Sequence, residues 1–418
     1  MKLKKCLAML IVSSLLFSAC TGKAPSTPKG NVTVPKPTPP TNVAAKELNI
    51  WTYFSGNEQT MFGELSNTFA KNNDVKVNVE YIPFGDYKKQ ISVALASDSL
   101  PDIIMIDNPD HAAFASMGVF EDITDKINAW EAKDKYFDGP LASTMLDGKY
   151  YGIPVTSNCL ALFYNEKMLA DAGITPPTNW DELIAAAKKL TTNEVFGLGV
   201  ASPKNEEATF QFLPWMIAAG GSYDQLNSPE VIKAMTLWTN LIKDGAMSKE
   251  TINWGQGDIQ KQFSASKLAM FVGGPWMIGQ IQEDAPDLTW GVAKIPQDKQ
   301  FASVLGGENM GIVKGKNVDL AWDFLKYLGD FDTVKNFISQ TGYFPPRRDV
   351  AQDPIWTEDP IKKVFMDQMQ YAMPRGPHPK WPEISAAIYT ALQESLTFTK
   401  TPEQAANDAQ KIVDTLLK

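Results

Sequence analysis

Apolar residues along this chain recur with two periods, and the periods alternate. Leu48-Asn49-Ile50-Trp51-Thr52-Tyr53 and Val75-Lys76-Val77-Asn78-Val79 show the period of two that half-buried strands require. Between them Met61, Leu65 and Phe69 fall at helical spacing, running up to Lys71. Tyr87, Ile91, Ala94 and Leu95 mark a second helix over Asp86 to Ser97. Ile103-Ile104-Met105-Ile106 is apolar on both faces, as in a strand covered on both sides. This β-α-β-α-β order predicts α/β layers with right-handed crossovers. Ligands of such open sheets sit at the carboxyl ends of the strands. Those ends are Tyr53 to Glu58, read as a loop from Phe54 onward, and Asp107-Asn108.

The stretch from Tyr151 to Leu190 predicts a strand, a short helix, a turn and a long helix. Leu160, Leu162 and Tyr164 share one face of the strand, and Ala161 and Phe163 make the other face apolar as well. Pro154 lacks the N–H that a sheet ladder needs, so the chain is expected to change domain there. Thr178 is expected to open the long helix, with Asp181 as its capping-box partner.

Farther along, Gly197 to Val200, Ala269 to Val272 and Trp290 to Ala293 read as strands. The second of these is expected to break at Gly273-Gly274-Pro275-Trp276. Helices are expected over Phe210 to Ala219, Ser228 to Asp244 and Ile259 to Ser266. Two strand-like pieces flank Gly306-Gly307 within Ser303 to Val313. Helices dominate the remainder, and the last opens at Thr401-Pro402 with Thr as N-cap and Pro at the first helical position.

Composition changes this picture mainly at the N-terminus. Lys2, Lys4 and Lys5 precede an apolar run, Leu7 to Phe17, that is too short to span a bilayer. The run ends Leu16-Phe17-Ser18-Ala19-Cys20 and resembles a bacterial lipoprotein signal peptide, with Phe17 where Leu is usual. The resemblance implies cleavage before Cys20, lipidation of that residue, and anchorage to a bilayer on the extracellular face of the cell membrane. Thr21 to Lys46 holds six Pro among Thr, Ser, Lys and Val and reads as a partly polyproline tether. The formal charge of −9 becomes −12 once residues 1–19 and their three Lys are removed. That acidity argues against a nucleic-acid partner. Cys159 is the one Cys left beyond Cys20, so no intramolecular disulfide is available to the mature chain. With two His in 418 residues, a zinc site or a His-assisted nucleophile has little to draw on. Cys159, at the start of a buried strand, reads as a small core residue.

Several segments then carry a resemblance to a known family. They are Leu100-Pro101-Asp102-Ile103-Ile104, Tyr151-Gly152-Ile153-Pro154 with Phe163-Tyr164-Asn165-Glu166-Lys167, and Ala172-Gly173-Ile174 with Trp180-Asp181-Glu182-Leu183. Lys267-Leu268-Ala269-Met270 with Gly274-Pro275-Trp276, Gly342-Tyr343-Phe344-Pro345 and Thr401-Pro402-Glu403 follow in order. In that order and spacing the chain resembles extracellular solute-binding proteins of the sugar-binding ABC-importer family, the group that includes maltose-binding protein. The resemblance implies an α/β, two-lobed periplasmic-binding-protein-like fold with a ligand cleft between the lobes. It also implies a receptor without catalytic activity, cofactor or metal, monomeric, that closes on a small carbohydrate and delivers it to a membrane-embedded ABC permease. On that pattern residues 1–19 are the signal and 20–45 the lipidated Cys and tether. Lobe one is 46–155 plus 303–342, and lobe two is 156–302 plus 343–418.

A sugar offers apolar ring faces and a fringe of hydroxyls, so its site wants aromatic platforms with fixed amides and carboxylates. Among the 11 Trp, Trp276 follows two Gly and a Pro at a strand end and matches a family position that stacks on sugar. Asn158 matches a polar ligand-contacting position, against the alternative of a loop cap. Tyr53, Phe54, Ser55 and Glu58 lie on the first strand-to-helix connection, and Asp107 and Asn108 at the next strand end. Gly307 and Glu308 combine close backbone approach with an acid. Gln211, Trp215 and Trp254 are candidates from lobe two, and Tyr343, Arg375 and Trp381 from C-terminal loops. Arg375, between Pro374 and Gly376, has the fork geometry for hydroxyls or a carboxylate, against a plain surface Arg. Trp238 sits at helix-core spacing and is left out. Two alternatives stay open. One is a secreted glycoside hydrolase, with Asp107 and Glu308 facing each other across the cleft. The other is the same fold around a non-sugar solute such as a polyol phosphate, for which Arg375 is the sole hint.

Overall fold

A computed structural model describes residues 46–418, Pro377 excepted. The leader, Cys20 and the tether up to residue 45 therefore lie outside the described residues. Two separate sheets organise the rest. The first runs Lys76–Tyr81, Glu47–Thr52, Ile103–Asp107, Glu308–Ile312 and Ile153–Pro154. Its first three strands are parallel, and the last two join antiparallel. The second runs Trp290–Ala293, Ala161–Asn165, Leu268–Gly273 and Phe196–Gly199.

The strand Ile103–Asp107 shows why an all-apolar run was needed. Ile103 and Met105 pack with Leu48, Ile50, Met61, Leu65 and Phe69 on one side of the first sheet. Ile104 and Ile106 pack with Tyr87, Ile91, Phe114 and Phe120 on the other. Ala161–Asn165 does the same in the second sheet. Leu160 and Leu162 join Trp180, Leu183, Trp215 and Trp238, whereas Ala161 and Phe163 join Phe271 and Phe365. Cys159 is fully buried, and burial pushes its thiol well above the usual range, as a core residue requires.

Local differences from the expected elements trace to capping. Phe54 to Glu58 is not all loop: the helix Gly56–Asn73 starts at once, and Glu58 accepts the Ser55 N–H at 3.3 Å. The long helix Trp180–Leu190 is capped by Asn179 rather than Thr178, through its Oδ1 and the Glu182 N–H at 2.9 Å. Thr178 instead gives both its N–H and its hydroxyl to the Glu182 carboxylate at 2.8 Å. A helix expected from Phe210 begins at Glu206 with Asn205 as its N-cap. Beyond Trp276 a further helix, Met277–Asp284, buries Met277 and Ile281 one turn apart.

Three chain segments pass side by side between the sheets. Val155 N–H donates to Glu308 O at 2.8 Å, Asn158 and Gly306 exchange backbone hydrogen bonds at 3.0 and 2.9 Å, and Ser157 and Phe344 do so at 2.9 and 2.8 Å. Gly307 carries φ +137°, and a Cβ there would stand 2.5 Å from the Thr156 carbonyl. Only glycine lets these two segments pass so closely. The two strand pieces flanking the Gly pair belong to different sheets. Ser303–Leu305 pairs with Ala372–Pro374, whereas Glu308–Ile312 lies in the first sheet.

Candidate functional site

Beside those three segments the two sheets face a cleft with a volume of 370 Å³. Its floor and first wall take Tyr53, Ser55, Glu58, Phe84 and Asp107 from the first sheet and its connections. The opposite wall takes Glu206, Glu207, Phe210, Gln256, Lys261 and Trp276. Asn158, Gly307, Glu308 and Tyr343 come from the crossing segments.

The aromatic side is a row. Trp276 stacks near Phe210 (centroids 6.3 Å apart, planes at 28°) and near Tyr343 (6.0 Å, 28°). Its ring folds back over Gly274, where a Cβ would lie 1.9 Å from the indole. The Gly before Pro275 is therefore what allows the ring to lie along the cleft wall. The Arg375 guanidinium sits 4.4 Å from the centre of the Phe210 ring and ends the row.

Arg375 is 4% exposed, so the plain surface reading fails. It forks onto Asp107, at the end of the first-sheet strand, with Nη1–Oδ2 2.9 Å and Nη2–Oδ1 2.6 Å. Nη1 also donates to Glu206 at 2.9 Å. Burial raises the pKa of Asp107. The same burial opposes charge on Arg375, but Asp107 and Glu206 hold its pKa above the usual value. The bidentate geometry is that of an ionised pair. Glu206 is fixed in turn by the Trp381 indole N–H at 3.1 Å and by the Ser385 hydroxyl.

Glu58 and Glu308 are treated differently. Burial pushes Glu58 up to about 7, opposed in part by the Ser55 amide and the Tyr343 hydroxyl. Burial pushes Glu308 up to about 8, with the Thr156 hydroxyl opposing and the neighbouring acids adding to the rise. The Glu308 N–H donates to Thr156 Oγ1 at 2.9 Å, and the Thr156 hydroxyl donates back to the carboxyl. Beside them Asn158 Oδ1 and the Tyr53 hydroxyl are buried without a hydrogen-bond partner among the described residues.

Ten of the residues singled out from sequence line this cleft: Tyr53, Ser55, Glu58, Asp107, Asn158, Trp276, Gly307, Glu308, Tyr343 and Arg375. Six do not. Phe54 is core, packed on Phe62 and Phe337. Trp215 is fully buried between Trp180 and Trp238. Trp254 packs against the apolar cluster that holds Phe263 and Phe271. Gln211 is buried behind the wall, donating to Val272 O at 3.2 Å and to Gln256 at 3.3 Å. Asn108 and Trp381 stand one layer back, the first 3.4 Å from Arg375 Nη2 and the second on Glu206. Glu206, Glu207, Phe210 and Phe84 are among the lining residues that the sequence does not single out. Asn205-Glu206-Glu207, an N-cap followed by two first-turn acids, was the available signal for the first two. The carboxyl pair offered for hydrolysis fails on geometry. Asp107 and Glu308 are register partners on adjacent strands, not groups on opposed walls.

Residues 64–364 match the family described as bacterial extracellular solute-binding protein. Among curated proteins, the galactooligosaccharide-binding protein of Bacillus subtilis (strain 168) is 22% identical, over 97% of this chain and 96% of its own length. The maltotriose-binding protein of Pyrococcus abyssi is 25% identical, over 88% of this chain and 81% of its own length. Among solved structures, an ABC transporter solute-binding protein of Thermotoga lettingae bound with α-D-tagatose is 30% identical. Its TM-score is 0.85, covering 90% of this chain and all of that one.

Proposed function

Because the chain belongs to the bacterial extracellular solute-binding protein family, we propose that it captures a carbohydrate outside the cell and delivers it to an ABC-type importer. The observation that carries the carbohydrate reading is the cleft itself. An aromatic row, Phe210–Trp276–Tyr343, lines the cleft together with carboxyls and Asn158. Apolar sugar faces suit the first and sugar hydroxyls the second. The sugars named for the relatives support the same choice. Ligand contacts are assigned to nine of the ten cleft-lining residues above, Arg375 being engaged by Asp107 and Glu206, with Glu207 and Phe210 added.

The lobes are proposed to divide as the two sheets do. Residues 46–155 and 308–342 form one lobe, and 156–305 with 343–418 form the other. The hinge comprises the three hydrogen-bonded segments around Val155–Asn158, Gly306-Gly307 and Gly342–Phe344. Closure of one lobe on the other is the step that a permease would read. The receptor is proposed to work as a monomer held to the membrane by acylated Cys20, in keeping with the lipoprotein-like leader.

A thermal-shift screen of mono- and oligosaccharides tests the main reading. Stabilisation by at least one sugar is expected, and shifts with another solute class alone would overturn it. For the anchor, Cys20→Ala should move the protein from the membrane fraction to the medium in cell fractionation.

A further inference from the structure

The cations of the cleft lining give its charge selectivity. A guanidinium has five N–H groups. In Arg375 all five are engaged inside the protein. Nε donates to Leu305 O at 3.4 Å, Nη1 to Asp107 at 2.9 Å and to Glu206 at 2.9 Å, and Nη2 to Asp107 at 2.6 Å and to Asn108 at 3.4 Å. None remains for a ligand. The other cation of the lining, Lys261, stands on an exposed helix position.

Against these two cations the lining sets five carboxyl side chains, three of them outside the Arg375 pairings: Glu58, Glu207 and Glu308. Asn158, 3% exposed, also lines the cleft, and its Oδ1 is buried without a donor among the described residues. Glu58 and Glu308, protonated near neutral pH, and the unpartnered Tyr53 hydroxyl can serve a ligand hydroxyl in either direction, but among the described residues the lining holds no uncommitted buried cation. A protonated amine brings three hydrogens together with a charge that the carboxyls can balance and an attraction to the Phe210–Trp276 faces. A carboxylate or phosphate brings a negative charge that no uncommitted buried cation of the lining compensates.

We infer that this cleft discriminates saccharides by charge, accepting hydroxyl-bearing and amine-bearing sugars and rejecting those that carry a carboxylate or a phosphate. The inference rests on the carbohydrate reading and sharpens it. Arg375, the feature that would suggest an anion site from sequence alone, instead ties the first-sheet strand end to the opposite wall through Asp107 and Glu206.

Isothermal titration at neutral pH tests it with glucose, galactose and mannose. Each is offered as the free sugar, as its 2-amino-2-deoxy form and as its uronate. The neutral and amino forms should bind, the amino form at least as tightly, and the uronate at least tenfold more weakly than its neutral parent. A uronate that binds as well as its neutral parent overturns the charge inference and leaves the carbohydrate reading standing. No binding by any of the nine, with no sugar active in the thermal screen, overturns both. Raising the salt concentration should narrow the gap between amino sugar and uronate, as screening requires. An unchanged gap would mean that shape, not charge, sets the preference, and the inference falls.

Discussion

Two groups of buried acids share one cleft and are handled in opposite ways. Asp107 and Glu206 surround Arg375, whose donors are fully engaged by its neighbours. Glu58 and Glu308 receive a backbone amide, a hydroxyl or both, but no cation pairs with them among the described residues. The first group is charged and holds two walls together. The second carries its protons up to neutral pH because burial disfavours the anions. Burial alone therefore does not set a carboxyl's role; the partner does. The compensated group is a structural tie, and the uncompensated one is left to face whatever enters the cleft.

The most direct test of this contrast is to remove the cation. Arg375→Met should destabilise the protein by about 3–5 kcal/mol, since it leaves two carboxylates buried without their partner. Urea unfolding at neutral pH measures it. Adding Asp107→Asn and Glu206→Gln to that variant should recover most of the loss. If it does not, the guanidinium acts by packing on Phe210 and not by charge.

The uncompensated pair predicts a pH effect spread over several pH units. Both groups have folded-state pKa values above the ordinary 4.5, at about 7 for Glu58 and about 8 for Glu308. In that interval the native state binds more protons than the unfolded chain. Stability is then full below about pH 4.5 and falls as pH rises through about 7 and 8. The slope is about 1.4 kcal/mol per pH unit for each group while it is protonated only in the fold. Unfolding free energies measured from acid to mildly basic pH should show this decline, and Glu58→Gln with Glu308→Gln should flatten it. A slope that survives both substitutions would assign the effect elsewhere.

The smallest effect concerns the aromatic row that both acid groups adjoin. Trp276→Ala should weaken binding of a stabilising sugar by more than about 1 kcal/mol in titration calorimetry. An unchanged dissociation constant would leave the acids and amides as the whole of the recognition surface.

Tryptophan shows how far the chain can be read without its fold. Trp238, at helix-core spacing, is core, packed edge-on to Phe212. Trp215 looked equally available for a site and is core too, because its helix Glu206–Ala218 is buried on nearly every side. Trp276 was distinguished by Gly274 and Pro275, a local signal for a tight turn, and it lines the cleft. Phe210 carries no such signal, and the one for Glu206, its place behind the Asn205 N-cap, is hidden when the helix is started four residues late.

The sequence by itself determined the α/β layering, the covered strands Ile103–Asp107 and Ala161–Asn165, and the end of a strand at Pro154. Those follow from periodicity and from the donor that proline lacks, which are local properties of the backbone. Only the tertiary structure decided that Arg375 serves Asp107, 268 residues away in sequence, and that Glu58 and Glu308 pair with no cation among the described residues. Pairing and desolvation depend on which distant segments meet, and no period in the chain records that.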